Sequence, residues 1–398
     1  MPHYGVLLVG GNRTHQEGYG RSFAGDPRCK VVAVSDEAGI PEYRAGLNRL
    51  LAHEMGVPYI ADLEAALARR DVQVVSMCAD VERRGRVGVM CAQAGKHIYF
   101  DKPLAGSARD ARAIADAVER AGVHSQMFSQ ISTPWAQAAK SAIASGQLGD
   151  IVGWHADMLM AKGRPGTAPQ RNKPRAEQPR PERFTFVEAK REMLDMGVYS
   201  VSMVLWLSGR RASAVYATTG NYFFSEHAAH DIEDFGALTL TLDDGRVATA
   251  TGGRIGWTSH PRSGVVRVIV TGARGSAVFS EATPRLEIYS DEPPFTLPPT
   301  HPWDPMAMWS STGRDLGTAP KRQWVSMSES PQSVDMRGFI DCLDRDVEPE
   351  MNARTAVHHV EVIMAGYESA AAGKPVSLRV KAGVASDRAG RVASRRGS

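Results

Sequence analysis

Ala94-Gly95-Lys96-His97-Ile98-Tyr99-Phe100-Asp101-Lys102-Pro103-Leu104-Ala105 decides how the chain folds. A helical pattern over Arg84–Ala94 stops at Gly95, a residue suited to the left-handed turn past a helix end. His97–Phe100 follows as an apolar strand. Asp101 and Lys102 then stand at that strand's carboxyl end, where Pro103 disfavours the α region for Lys102 and holds it extended. A helix, a strand and a charged pair at the strand's end is the repeating unit of a parallel α/β sheet. In such sheets ligands gather outside the carboxyl ends of the strands.

Working outward, the same unit recurs over the first ~130 residues, predicting a sheet wrapped by helices on both faces. Gly5–Val9, Val31–Val34, Pro58–Ile60, Val72–Met77 and Val123–Phe128 read as further strands. Gln16–Ala24 is a helix ended by Gly25-Asp26-Pro27. Ser107 with Asp110 resembles a capping box opening a helix with Ala111, Ile114, Ala115 and Val118 on one face. Thr133-Pro134 opens another.

The loop after the first strand is Gly10-Gly11-Asn12-Arg13-Thr14-His15. A full dinucleotide fingerprint needs glycine for the turn, for backbone approach to pyrophosphate and for helix packing. Only the turn glycine is present. Context strengthens the motif: Asp36 ends the second strand ~26 residues on, near the ~20 expected of an acid that binds ribose hydroxyls. An acid there repels the extra phosphate of NADP, so NAD is the expected cofactor.

Composition sets the outer limits. The 398 residues are enough for two cores, and 43% hydrophobic with 23% charged residues excludes wholesale disorder. No apolar run reaches the ~20 residues of a membrane helix, and no secretory pattern follows Met1, so a cytoplasmic protein is expected. The cysteines Cys29, Cys78, Cys91 and Cys342 show no metal or disulfide spacing. The net charge of +3 is local: Lys381, Arg388, Arg391, Arg395 and Arg396 face only Asp387 in a tail, 381–398, expected to be disordered. Neither a nucleic-acid nor a membrane partner is expected.

The opening segment closely resembles the "AGKH…EKPLA" stretch of the Gfo/Idh/MocA family of NAD(P)-dependent oxidoreductases. Gly25–Arg28 before a strand, Ser145-Gly146-Gln147-Leu148-Gly149-Asp150-Ile151-Val152, and Met364–Leu378 resemble other parts of that family in order. The resemblance implies an α/β protein: a Rossmann domain over 1–130, then a domain over 131–380 with a large, mostly antiparallel open sheet. That sheet often mediates contacts in a homo-oligomer, here a dimer or tetramer. Alternating or β-branched runs at Val215–Ala217, Ala237–Leu242, Val247–Gly252, Val265–Thr271 and Ala277–Ser280 agree. Asp243-Asp244-Gly245 is a hairpin-type turn between two of them.

Site residues follow from the same resemblance. The lysine matching Lys102 bonds the substrate hydroxyl near the nicotinamide and helps move its proton. Asp101 stands where glutamate is usual. Asp195-Met196-Gly197-Val198-Tyr199 resembles the "DxGxH" signature, with tyrosine in place of histidine as in glucose–fructose oxidoreductases. At i and i+4 on a helix, Asp195 and Tyr199 would share a face. An ammonium beside the phenol would make Lys102 and Tyr199 a coupled pair. The glycine run usual before this helix is replaced by Lys190-Arg191-Glu192.

With the loop 10–15 and Asp36, Ala79, Asp101, Lys102 and Gln130 are expected at the cofactor. Trp135, His155 and His230 join Lys102, Asp195 and Tyr199 as expected substrate contacts. His227 and His230 have ligand-like spacing with no further ligand in view, so no metal is expected. The segment 162–183 reads as an excursion near the cleft. The expected function is oxidation of a secondary alcohol of a sugar, glycoside or cyclitol. The rivals are a redox-elimination glycosidase of the same fold and a regulator that senses nucleotide or sugar without turnover.

Overall fold

The computed structural model describes residues 3–161, 175–186, 189–255, 264–280, 285–290 and 329–379. The tail 381–398 and residues 162–174 of the expected excursion lie outside the described residues.

The first sheet is parallel: β1 (Tyr4–Val9), β2 (Cys29–Ser35), β3 (Tyr59–Ile60), β4 (Val74–Met77), β5 (His97–Phe100) and β6 (Ser125–Met127). Its spatial order is β3-β2-β1-β4-β5-β6. Helices α1 (Gln16–Ala24), α2 (Glu42–Met55), α3 (Leu63–Leu67), α4 (Val81–Gln93) and α5 (Ala108–Ala121) alternate with the strands. Val6–Val9 and Val74–Met77 are fully buried, as continuous apolar runs covered on both faces should be. The Ser107 side chain caps α5 by accepting from the Asp110 N–H. The chain's order reverses between β1 and β4, which opens a crevice at their carboxyl ends.

The second domain begins with α6 (Pro134–Ala144), β7 (Ile151–Met160), α7 (Glu192–Asp195) and α8 (Gly197–Ser208). Next come β8 (Ala212–Gly220), α9 (Ser225–Ala229), β9 (Phe235–Leu242), β10 (Val247–Arg254), β11 (Val265–Gly272), β12 (Gly275–Ser280) and β13 (Arg285–Ser290). The chain closes with α10 (Pro331–Asp344), α11 (Ala353–Ala372) and β14 (Val376–Ser377). The sheet order is β13-β12-β11-β7-β10-β9-β8-β14, antiparallel except between β7 and β10. Trp154, Ala156, Leu238, Leu240, Ala248 and Ala250 supply the buried face, against which α8 packs. The alternate positions, His155, Asp157, Thr249 and Arg267, occupy the opposite face.

The last helices return to the first domain. Asp335 of α10 is buried and accepts hydrogen bonds from Tyr99 Oη, Gln126 Nε2 and Ser132 Oγ. Burial pushes its carboxyl up to about 7 against the pull of those donors. In addition, Arg28 ties the start of β2 to Asp341 and Asp344.

One contact sets the height of α8 above the sheet. A Cβ on Gly252 of β10 would lie 2.3 Å from Gly197 Cα. The helix axis restarts there: Asp195 ends α7, Met196 sits between, and Tyr199 is in the first turn of α8. The expectation of one continuous helix carrying both residues is thereby corrected. Gly252→Ala would drive α8 off β10 and should cost about 1–3 kcal/mol of stability. Denaturant unfolding checks this; an unchanged midpoint would mean that the contact is slack.

Candidate active site

A cleft lies at the β1/β4 crevice. Its floor comes from the strand-end loops, with Arg13 and Thr14 after β1, Cys78, Ala79 and Asp80 after β4, and Asp101, Lys102 and Pro103 after β5. Phe184, Thr185, Phe186, Lys190, Leu194 and Asp195 of the second domain cover it. The glycine at the first turn is required: Gly10 has φ +94°, and a Cβ there would lie 2.8 Å from the Cys78 carbonyl oxygen. Arg13 and Thr14 thus stand at the amino end of α1, a natural anion site. Arg13 has no carboxylate partner among the described residues. This is the environment that a dinucleotide pyrophosphate fits.

Arg84 organises the floor. Its buried guanidinium donates to the carbonyls of Ala79, Asp101 and Pro103, tying the ends of β4 and β5 together. Asp101 Oδ1 meets His15 Nδ1 at 2.8 Å and accepts from Tyr19 Oη at 2.9 Å. Burial alone would favour the neutral acid, but His15, Arg84 and Lys102 hold Asp101 well below the usual carboxylate range.

Lys102 is 2% exposed, and its peptide bond to Pro103 is cis. Nζ donates to Asp195 Oδ1 at 2.8 Å and to the Asp195 carbonyl at 2.6 Å. The pair therefore joins β5 of one domain to α7 of the other. Burial of Asp195 is outweighed by Lys102, Lys190 and Arg254, which keep it ionised well below its ordinary range. The charges continue outward: Arg254 reaches Asp195 Oδ2 at 3.5 Å and Glu192 Oε1 at 2.8 Å, and His227 Nε2 lies 3.3 Å from Glu192 Oε1.

The sequence matches "Oxidoreductase family, NAD-binding Rossmann fold" over residues 4–129 and "GFO/IDH/MocA C-terminal domain" over residues 136–278. The chain belongs to the Gfo/Idh/MocA oxidoreductase family. D-apiose dehydrogenase of Paraburkholderia graminis is 25% identical over 323 residues, 80% of this chain and 76% of that one. Levoglucosan dehydrogenase of Pseudarthrobacter phenanthrenivorans is 29% identical over 166 residues, 40% of this chain and 42% of that one. Among solved structures, levoglucosan dehydrogenase in complex with NADH and L-sorbose superposes with a TM-score of 0.71 at 19% identity, covering 94% of this chain and 99% of that one. NAD is the cofactor of this Gfo/Idh/MocA fold.

Several residues expected at the site of this Gfo/Idh/MocA protein lie elsewhere. Trp135 is 2% exposed and stacks on Phe279 with ring centroids 3.7 Å apart, so it is core and not a sugar platform. His155 bonds Thr249 Oγ1 and Asp157 Oδ2 on the sheet face away from the cleft, because strand alternation turns Trp154 inward instead. His230 stacks behind Phe186, one layer from the cleft. Gln130 uses its carbonyl to accept from Thr133 and does not line the cleft. Asn12 donates to Glu54, Gly11 packs against Asn48, and only Arg13 and Thr14 of that loop line the cleft.

Asp36 lies at the end of β2 as expected, but its carboxylate is sealed. It accepts from both Arg83 terminal nitrogens, from Asn48 Nδ2 and from the Glu37 N–H, and its side chain is 1% exposed. A ribose approaching that corner therefore meets Arg83 and not the acid. Arg84, Arg254 and Glu192 were missed by the sequence reading. For Arg84 one signal was present: it shares a helix face with Val87, Gly88 and Cys91, where an apolar residue is expected.

Tyr199 meets Lys102 through its ring. The Lys102 ammonium lies 4.9 Å from the centre of the Tyr199 ring, stacked on its face. Burial first, then Asp101, Asp195 and Asp335, push the phenol well above its ordinary value. Burial thus works against the proton coupling with Lys102 that an ammonium beside the phenol would bring. A difference absorbance titration of the native protein against Tyr199→Phe should show no tyrosinate from this residue up to pH 10. Tyrosinate emerging near neutrality would restore the coupled pair.

Proposed function

We propose that this protein is an NAD-dependent dehydrogenase acting on a secondary alcohol of a carbohydrate or polyol. The observation that carries the reading is the buried Lys102 ammonium, fixed by two hydrogen bonds that it donates to Asp195 at the floor of the dinucleotide crevice. An ammonium has three N–H donors. Asp195 takes two of them, leaving one for a substrate oxygen. The relatives levoglucosan dehydrogenase and D-apiose dehydrogenase support a carbohydrate substrate.

The roles follow from position. Arg13, Thr14 and the amino end of α1 would hold the cofactor's phosphates, and Ala79 leaves room beside them. Bound NAD supplies the hydride acceptor. In alcohol oxidation Lys102 as the free amine takes the hydroxyl proton; in ketone reduction its ammonium returns one to the oxygen. Asp195 aims the nitrogen and stabilises the ammonium. Tyr199, buried and protonated, fixes the ammonium on its ring face. The roof formed by Phe184 and Phe186 excludes water. A homo-oligomer, dimer or tetramer, would form through the open sheet face, where Tyr216 and Val247 are exposed.

Lys102→Ala should lower turnover by about 10²–10⁴-fold, the usual span for a lost proton-transfer group. Initial rates of NADH formation, screened over sugars, glycosides and inositols, measure this. Cofactor binding by the same variant should be retained. A variant that keeps its turnover would remove Lys102 from the reaction.

A further inference from the structure

The substrate end of the cleft holds a cation with no acid in contact: the Lys190 ammonium helps keep Asp195 ionised from a distance but forms no ion pair with it. Residues 190–192 are charged in succession, yet they face different ways. Arg191 is buried and pairs with Glu177 and, at 3.0 Å, with Glu233. Glu192 is occupied by Arg254 and His227. Lys190 lines the cleft, and no carboxylate lies within 4 Å of it among the described residues. The cleft's own acids are already engaged: Asp101 with His15 and Arg84, Asp80 with Arg44 and Arg83, Asp195 with Lys102 and Arg254.

Lys190 is also held in place. Thr185 and Lys190 form an antiparallel bridge, the Arg191 N–H donates to the Phe184 carbonyl at 3.0 Å, and the Phe186 N–H donates to the Ala189 carbonyl at 2.7 Å. Glu82 of α4 fastens this ribbon to the first domain by accepting from the Phe184 and Thr185 N–H groups. The lysine is half-buried on a pinned backbone beside the Lys102–Asp195 pair. Arg13, the other cleft cation without an acid, stands at the amino end of α1, where cofactor phosphate is expected.

We infer that Lys190 receives a carboxylate on the substrate, so that this enzyme selects a sugar acid over the corresponding neutral sugar. The inference rests on the dehydrogenase reading and deepens it. One ammonium balances one negative charge; a phosphate dianion would call for a forked or multiple donor set. A charge-assisted hydrogen bond of this kind corresponds to about tenfold or more in affinity.

The test uses the full chain, native and Lys190→Met, with matched probes: D-glucuronate against D-glucose and D-galacturonate against D-galactose. NADH formation gives kcat/KM, and calorimetry on the NADH-loaded protein gives binding without turnover. The native protein should favour the acid of a pair by about tenfold or more. Lys190→Met should erase that preference, Lys190→Arg should keep most of it, and the KM for NAD should stay unchanged. A native preference for the neutral sugars, or equal losses on both members of a pair, would overturn the inference. A raised KM for NAD with intact acid preference would also overturn it, assigning Lys190 to the cofactor. If calorimetry shows the acid preference while no probe yields NADH, the dehydrogenase reading fails and the carboxylate site stands.

Discussion

The ion pair between Lys102 and Asp195 is the constraint on which the arrangement depends. It is made by a strand end of one domain and a short helix of the other, so neither domain has the site alone. Both partners are nearly removed from water, and a buried charge left without its partner costs about 3–5 kcal/mol. That penalty locks the angle between the domains at the one place where the chemistry needs it. The surrounding charges follow the same logic. Arg254 and Glu192 extend the pair outward, and Arg84 fixes the backbone from which Lys102 projects.

Packing enforces what electrostatics requires. Gly197 against Gly252 lets α8 start directly on β10, which places Tyr199 beneath the lysine. Asp335 of α10 fastens Tyr99, on the strand that leads into Lys102, to a helix that arrives from the far end of the chain. The buried groups Glu177, Arg191 and Glu233 hold the ribbon that roofs the cleft. A site between two domains is thus supported by one close backbone contact and two buried polar clusters, built by residues distant in sequence.

The parts of this design that were legible in the sequence are local ones. The alternation of strands and helices gave the parallel sheet, and a glycine–strand–lysine–proline order gave Lys102 at a strand end. Other parts depend on partners far away. Asp36 reads as a ribose acid until Arg83, from another helix, is seen to cover it. Trp135 has the composition of a sugar platform, but Phe279 lies on its face. For His155 the strand period left two choices, and the neighbouring Trp154 took the buried one. A buried arginine such as Arg84 looks like a surface one in sequence, because its acceptors are backbone carbonyls that no residue type announces. The break at Met196 carried no proline, and Gly197 beside it shows its effect only through contact with Gly252 on a later strand.

The central claim is that Lys102 and Asp195 act as one unit. A double-mutant cycle on NADH formation, with Lys102→Met, Asp195→Leu and the two combined, measures this directly. The double variant should turn over no more slowly than Lys102→Met, since the aspartate has nothing left to aim. Losses that multiply would contradict the account, because the two residues would then serve the reaction separately.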